Sequence, residues 1–297
     1  MSQLAFTRSG TGTPLVLLHA LGLSRRTWDP VIPALAGRFD VIAVDLPGFG
    51  DSQPLPATAE PRPAALAAAV AGLLDDLGVT APHVAGNSLG GWVAVELAAI
   101  RPAASLTLLS PAGLWPKGAP WYDRASLRAS RWLASHAAGS LSRLVRYRLG
   151  RALVLGQTHG QPARLTPEYA RATIRSLGTS PGFDAALKAT AKRRIQATTP
   201  LGAPVTVAFG SRDRVLLPHQ SRHVDQLPPG TYVQELPGCG HVPISDDPGA
   251  VIALITQSAA RAAVAPAKHP AGHPDGIAES RLRAIALGMK MPFIGRG

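Results

Sequence analysis

The stretch HVAGNSLGGWVAVELA, residues 83–98, decides how the rest of the chain is read. Its first apolar residues run into Gly86-Asn87-Ser88-Leu89-Gly90-Gly91, and an apolar pattern resumes at once on the far side. Chance alone yields roughly 0.2 matches to G-x-S-x-G in a chain of this length and glycine content, so context must separate a nucleophile from a serine in a glycine turn. That context is a buried strand ending at residue 85 and a helix over residues 89–100, closed by Arg101-Pro102. A serine at such a junction occupies a strained turn with its hydroxyl projecting from the sheet, and small residues two before and two after it leave room for the turn. Gly86 and Gly90 hold those positions. Leu89 contributes the first helical N–H, at the positive end of the helix dipole, where it can face an oxyanion.

Outward from this stretch, short apolar runs alternate with helical patterns, the signature of strands feeding crossover helices in a parallel sheet. Residues 15–18 and 41–44 read as strands and 28–35 as a short helix. Residues 45–52 read as a loop, because a proline and two glycines break any regular element. Residues 62–77 are helical, with Leu66, Val70, Leu73, Leu74 and Leu77 on one face and Gly78 as the stop. A strand follows at 106–109. From Pro111 the character changes to prolines, tryptophans and arginines in helical stretches, with no strand until 205–209. A helix at 218–226, a strand at 232–236 and a final helix at 248–263 complete the pattern. The expected organisation is a core of residues 1–111 and 199–264, a helical insertion at 112–198 and a C-terminal extension at 265–297. That extension is rich in Pro, Gly and His, with a weak helical stripe at Leu282, Ile285, Ala286 and Met289.

At 297 residues and 46% hydrophobic content, the chain is long enough to bury a sizeable core. The sequence opens without a charged-then-apolar leader. Its longest apolar run, residues 64–74, is Ala-rich, too short for a bilayer and closed by Asp75-Asp76. The single cysteine, Cys239, excludes an intramolecular disulfide and a cysteine-rich zinc site. These features predict a soluble, cytoplasmic protein. The net charge of +12 is localised: residues 112–198 hold fifteen Lys/Arg against three Asp/Glu, and the remainder holds fifteen of each. The insertion therefore carries its own surface chemistry on an electrically ordinary scaffold.

A serine hydroxyl is a poor nucleophile until a base takes its proton. Of nine histidines, His136 and His159 lie in the insertion, His269 and His273 in the tail, and His219 and His223 on an outer helix. His241, in Gly238-Cys239-Gly240-His241-Val242-Pro243, follows the strand at 232–236, so its imidazole can be held at the C-terminal edge of the sheet. The base needs a carboxylate to fix its tautomer and stabilise the imidazolium. Asp213 follows the strand at 205–209 and reaches the same edge, whereas Asp246 and Asp247 read as caps for the helix near Pro248. A second oxyanion donor is expected from His19-Ala20-Leu21-Gly22, as the Leu21 N–H, with His19 organising that loop through hydrogen bonds.

The order Ser88, Asp213, His241, together with the elbow, the His-Ala-Leu-Gly loop, Asp-Leu-Pro-Gly-Phe-Gly-Asp-Ser and Gly-Cys-Gly-His, resembles the α/β-hydrolase superfamily over nearly all of residues 10–263. The resemblance implies a mostly parallel sheet flanked by helices, with 112–198 as a helical cap over the active site, and no cofactor or metal. Ala20 stands where the family usually has glycine. Haloalkane dehalogenases and epoxide hydrolases of this fold carry Asp at the nucleophile position, and this chain has Ser88. Cofactor-free carbon–carbon bond hydrolases share a Gly-Asn-Ser-x-Gly-Gly elbow, so Asn87 and Gly91 keep that reading open. Those enzymes typically place Trp after the catalytic histidine, where Val242 stands here. Cleavage of a small carboxylic ester, thioester or lactone leads.

Three meanings compete for the basic cap. It solvates exposed helices, it draws in a carboxylated or phosphorylated substrate, or it meets an acidic partner or anionic bilayer; no motif points to nucleic acid. Trp115, Trp121 and Trp132 are candidates to line an acyl pocket, with His19, Asn87 and Val242 nearer the chemistry. A non-catalytic binding protein using the basic cap is the alternative from another class.

Overall fold

The structure is a computed structural model that describes residues 4–196 and 201–264. Its strands are β1 (Phe6–Ser9), β2 (Thr13–Leu18), β3 (Phe39–Val44), β4 (His83–Asn87), β5 (Ser105–Leu109), β6 (Val205–Gly210) and β7 (Tyr232–Leu236). They form one sheet in the order β1-β3-β2-β4-β5-β6-β7, and only β1 runs antiparallel to its neighbour. Alternation along the strands explains why both faces are covered. Val16 and Leu18 of β2, with Ile42 and Val44 of β3, enter one hydrophobic cluster, while Leu15, Leu17, Val41 and Ala43 enter another. Double burial of this kind is what parallel strands with crossover helices require.

The helices are α1 (Ile32–Leu35), α2 (Pro63–Asp76), α3 (Leu89–Ile100), α4 (Trp121–His136), α5 (Ala138–Leu144), α6 (Arg148–Leu155), α7 (Pro167–Thr179), α8 (Phe183–Thr190), α9 (Pro218–Ser221), α10 (Pro243–Asp246) and α11 (Pro248–Val264). Helix α2 presents Leu66, Val70 and Leu74 to the first cluster, where Trp92 and Val93 of α3 meet them. Leu35 of α1 and Val251, Leu254 and Ile255 of α11 close the other face. The strand β1 was not anticipated, because its four residues are exposed and mixed in polarity. The helix expected at 28–35 is instead a 3-10 turn, Arg25–Trp28, followed by α1, with the amide-lacking Pro30 between them. The helix expected at 218–226 breaks after α9 because the His223 N–H turns to the Leu114 carbonyl (3.1 Å), and a separate 3-10 turn, Val224–Gln226, follows.

Helices α4 to α8 are inserted between β5 and β6. Ala134, Leu141, Val145, Leu155, Ala170 and Ile174 give them a small cluster of their own, whereas Phe183, Ala186 and Leu187 of α8 join the main core. Several of the insertion's arginines point at main-chain oxygen. Arg131 donates to the carbonyls of Leu177 and Ser180 at the end of α7, and buried Arg151 to those of Val145, Arg146 and Ala163. Carbonyls at helix C-termini have no helical N–H to accept and carry partial negative charge, so a guanidinium is a natural partner. Among the described residues, no helix is long and apolar enough to cross a membrane. The expected C-terminal extension at 265–297 lies outside the described residues, as does the junction at 197–200.

Candidate active site

The C-terminal ends of β2, β4, β6 and β7 bring four separate loops to one edge of the sheet, and the nucleophile candidate lies between β4 and α3. Ser88 has φ 54° and ψ −113°, a backbone conformation that a residue with a side chain adopts only under strain. The strain is imposed from both sides. The Ser88 N–H donates to the Leu109 carbonyl of β5 (2.9 Å), and its own carbonyl accepts from Trp92 and Ala112. Gly86 and Gly90 permit this close turn. A Cβ on Gly86 would lie 2.2 Å from the Gly90 oxygen, and one on Gly90 would lie 2.2 Å from the Leu18 oxygen.

His241 Nδ1 lies 2.9 Å from Asp213 Oδ2, and both side chains are buried. The other carboxylate oxygen of Asp213 accepts from the main-chain N–H groups of Val215 and Leu216, each at 2.9 Å. Burial alone would push this carboxyl up. The adjoining imidazole and the two amides outweigh burial and hold it below its ordinary value. Asp213 is thus an ionised acceptor set against Nδ1 of the His241 ring. Ser88 and His241 line one cavity of about 110 Å³, together with Leu21, Leu89, Trp115 and Val242. Ser88 and His241 are not joined by a hydrogen bond among the described residues; in free enzymes such bonds often form only with substrate in place.

The loop after β2 is held by its histidine. His19 is fully buried, its Nδ1 lies 2.8 Å from the Ala20 carbonyl, and its Nε2 accepts from the Leu46 N–H at 2.9 Å. Burial lowers its pKa, which matches a neutral ring donating at Nδ1. His19 therefore shapes the loop carrying Leu21 and does not line the cavity. Asn87 is likewise removed from the cavity wall. Its Nδ2 donates to the carbonyls of Leu109 and His241, each at 2.9 Å, stitching the elbow to the histidine loop.

The insertion supplies the remaining wall, and here the sequence reading needs correction. Trp115 faces the cavity, buried and edge-on to Trp92, but Trp121 and Trp132 are 77% and 61% exposed. The inward face of α4 is instead Asp123, Leu127 and Ser130, spaced i, i+4, i+7. Trp121 lies two positions from Asp123, hence about 200° around the helix on the solvent side. His159, set aside with the insertion, also lines the cavity, beside Gln157 and Thr158. The loop carrying it is tied to the histidine loop by Asp246, which does not cap α11. Its carboxylate accepts from the N–H groups of Gly160 (2.7 Å), Gln161 (2.9 Å) and Gly240 (2.7 Å), while Asp247 caps α11 through the Ala250 N–H. Among the described residues, no group of three or more His, Cys, Asp or Glu side chains could hold a metal ion.

This fold and site define a hydrolase scaffold, and comparison with known proteins gives the family. A family model described as alpha/beta hydrolase fold matches residues 13–248, and the chain belongs to that family. The chain is 33% identical over 190 residues to epoxide hydrolase EphH of Mycobacterium tuberculosis, a match covering 62% of this chain and 88% of that protein. Among solved structures it is similar to a thermophilic esterase from Thermogutta terrifontis, with a TM-score of 0.70 and 25% identity over 87% of this chain and 93% of the other. It is also similar to the esterase RhEst1 from Rhodococcus sp. ECU1013, with a TM-score of 0.67 and 26% identity over 87% and 95%.

Proposed function

We propose that this protein is a serine hydrolase that cleaves a small carboxylic ester, thioester or lactone through an acyl-enzyme on Ser88. The observation that carries the reading is the His241–Asp213 hydrogen bond at the wall of the cavity that Ser88 also lines. Ser88 Oγ attacks the carbonyl carbon as His241 Nε2 takes its proton, and Asp213 stabilises the resulting imidazolium. The developing oxyanion accepts from the Leu21 and Leu89 N–H groups, the latter unused by α3 because it opens the helix. Collapse expels the alcohol or thiol with the proton from His241. Water then repeats the sequence on the acyl-enzyme, releasing the acid and restoring Ser88.

The epoxide hydrolase activity in the name of the M. tuberculosis relative does not transfer readily, because that chemistry on this fold uses a carboxylate nucleophile and this chain presents Ser88. The carbon–carbon reading loses support as well, since the Asn87 amide is engaged with the Leu109 and His241 carbonyls and is withdrawn from substrate. A fluorophosphonate probe is expected to label the wild-type protein and not Ser88→Ala. Short-chain p-nitrophenyl ester turnover should fall with the same substitution. Equal labelling of the two proteins would overturn the assignment, and salt-sensitive capture of acidic proteins or lipids without any Ser88-dependent turnover would favour a binding role.

A further inference from the structure

Asp123 is the anomaly of the cavity. It is 3% exposed, and neither carboxyl oxygen has a hydrogen-bond partner among the described residues. Its sequence neighbour Arg124, which also lines the cavity, makes no ion pair with it. An unpaired buried carboxyl is costly to the fold. Rule-breaking side chains of this kind concentrate where a protein handles a ligand.

Three further polar groups on the same wall also lack partners, one of them the Nε of Arg124. Gln157 accepts from Ser130 at 3.0 Å through Oε1, which leaves its Nε2 as a buried donor without an acceptor. The Thr158 hydroxyl donates to the Leu155 carbonyl at 3.2 Å and lies 2.8 Å from His159 Nδ1, so Nδ1 carries the proton and Nε2 is a bare acceptor. Burial pushes the His159 imidazole down to about 4, which keeps it neutral. Burial also raises the Asp123 carboxyl to about 7, with His241 opposing and Asp213 adding to the rise, so it can act as acceptor or donor near neutrality. The wall therefore offers donors from Gln157 and Arg124, one acceptor and one group able to be either, in surroundings otherwise mostly apolar.

Resting on the serine hydrolase reading, we propose that Asp123, Gln157 and His159 form a subsite that recognises a hydroxyl group on the acyl portion of the ester. A hydroxyl can donate to His159 Nε2 or Asp123 while accepting from Gln157 Nε2. An ammonium could not accept from Gln157 Nε2. A plain alkyl chain would leave all three groups desolvated and unpaired, which is how a polar pocket rejects the analogue lacking the group. The small cavity suits a short acyl chain.

The test compares ethyl 3-hydroxybutanoate with ethyl butanoate, and ethyl lactate with ethyl propanoate, by pH-stat. Wild-type protein is expected to favour a hydroxylated member by about tenfold or more in kcat/KM. Asp123→Leu and Gln157→Leu should collapse that ratio toward one. Asp123→Leu should also raise the thermal midpoint, since it replaces an unpaired buried carboxyl with an apolar side chain. A ratio near one in the wild type, a higher rate with the corresponding amino ester, or a lowered midpoint in a folded Asp123→Leu whose ratio is unchanged would overturn the subsite. Loss of Ser88-dependent turnover on every ester would instead overturn the hydrolase reading. A preference for hydroxylated esters in Ser88-dependent turnover supports both.

Discussion

Ser88 and Asp123 are two residues at which this chain gives up stability, and each can be tested. The strained backbone at Ser88 costs on the order of 1–3 kcal/mol, and glycine relieves it where alanine does not. Ser88→Gly is therefore expected to melt higher than Ser88→Ala, with both inactive; calorimetry of the pair measures the strain directly. Asp213→Asn should lower kcat by about a thousandfold or more with little change in KM, because the amide can hold the wrong imidazole tautomer. Asp123 carries a pH signature. Its carboxyl is raised by burial from an ordinary 3.8 to about 7. Below about pH 3.8 both folded and unfolded chains are protonated and the residue is silent. As pH rises toward 7 only the unfolded chain ionises freely, so the folded state loses stability until the folded carboxyl also titrates. The gain in thermal midpoint from Asp123→Leu should thus be larger at pH 8 than at pH 5, by about 3 °C or more. The buried Cys239 thiol is pushed up to about 12 by burial, with Asp246 and Asp247 adding to the rise, and iodoacetamide is expected to spare it until the protein unfolds.

Among the elements, those that are long or apolar were legible in advance. Helix α3 and strand β7 match their expected bounds; β2, β5 and β6, which extend the expected runs by one or two residues, are buried parallel strands that announce themselves as apolar runs between turn residues. The four exposed residues of β1 carry no such mark. Sequence order also indicated which loops hold Ser88, Asp213 and His241, since a parallel sheet sends every strand's end to one edge. What could not be read was the rotation of α4. Its sequence contains two stripes at helical spacing, Trp121-Ala125-Arg128-Trp132 and Asp123-Leu127-Ser130, and hydrophobicity favoured turning the tryptophans inward. Packing chose the other stripe, which is why Asp123 and its neighbours across the cavity went unnoticed. Asp246 shows the same limit: a helix-cap spacing concealed a carboxylate that binds three N–H groups from two loops. Asp246→Ala should destabilise the fold by about 2–4 kcal/mol, measurable in denaturant melts, and should reduce kcat because the loop holding His241 loses an anchor.

At the scale of the molecule, the charge of +12 divides between internal and external work. Arg131, Arg151 and Arg171 donate to carbonyls within the insertion, while Arg128, Arg143, Arg146 and Arg148 are exposed. The exposed set is expected to retain the protein on a heparin column at low salt and release it as ionic strength rises. Buried Arg151 is insulated from salt, so Arg151→Ala should lower stability in dilute and concentrated buffer alike. The knot at Asp246 has a bearing on engineering. In a family whose insertions are attractive modules for exchange, this one cannot be cut out at its two ends and replaced. Gly160 and Gln161 share the Asp246 carboxylate with the loop of His241, and the Val242 N–H donates to the Thr158 carbonyl (2.9 Å). A transplanted cap would need to bring its own clasp for the histidine loop.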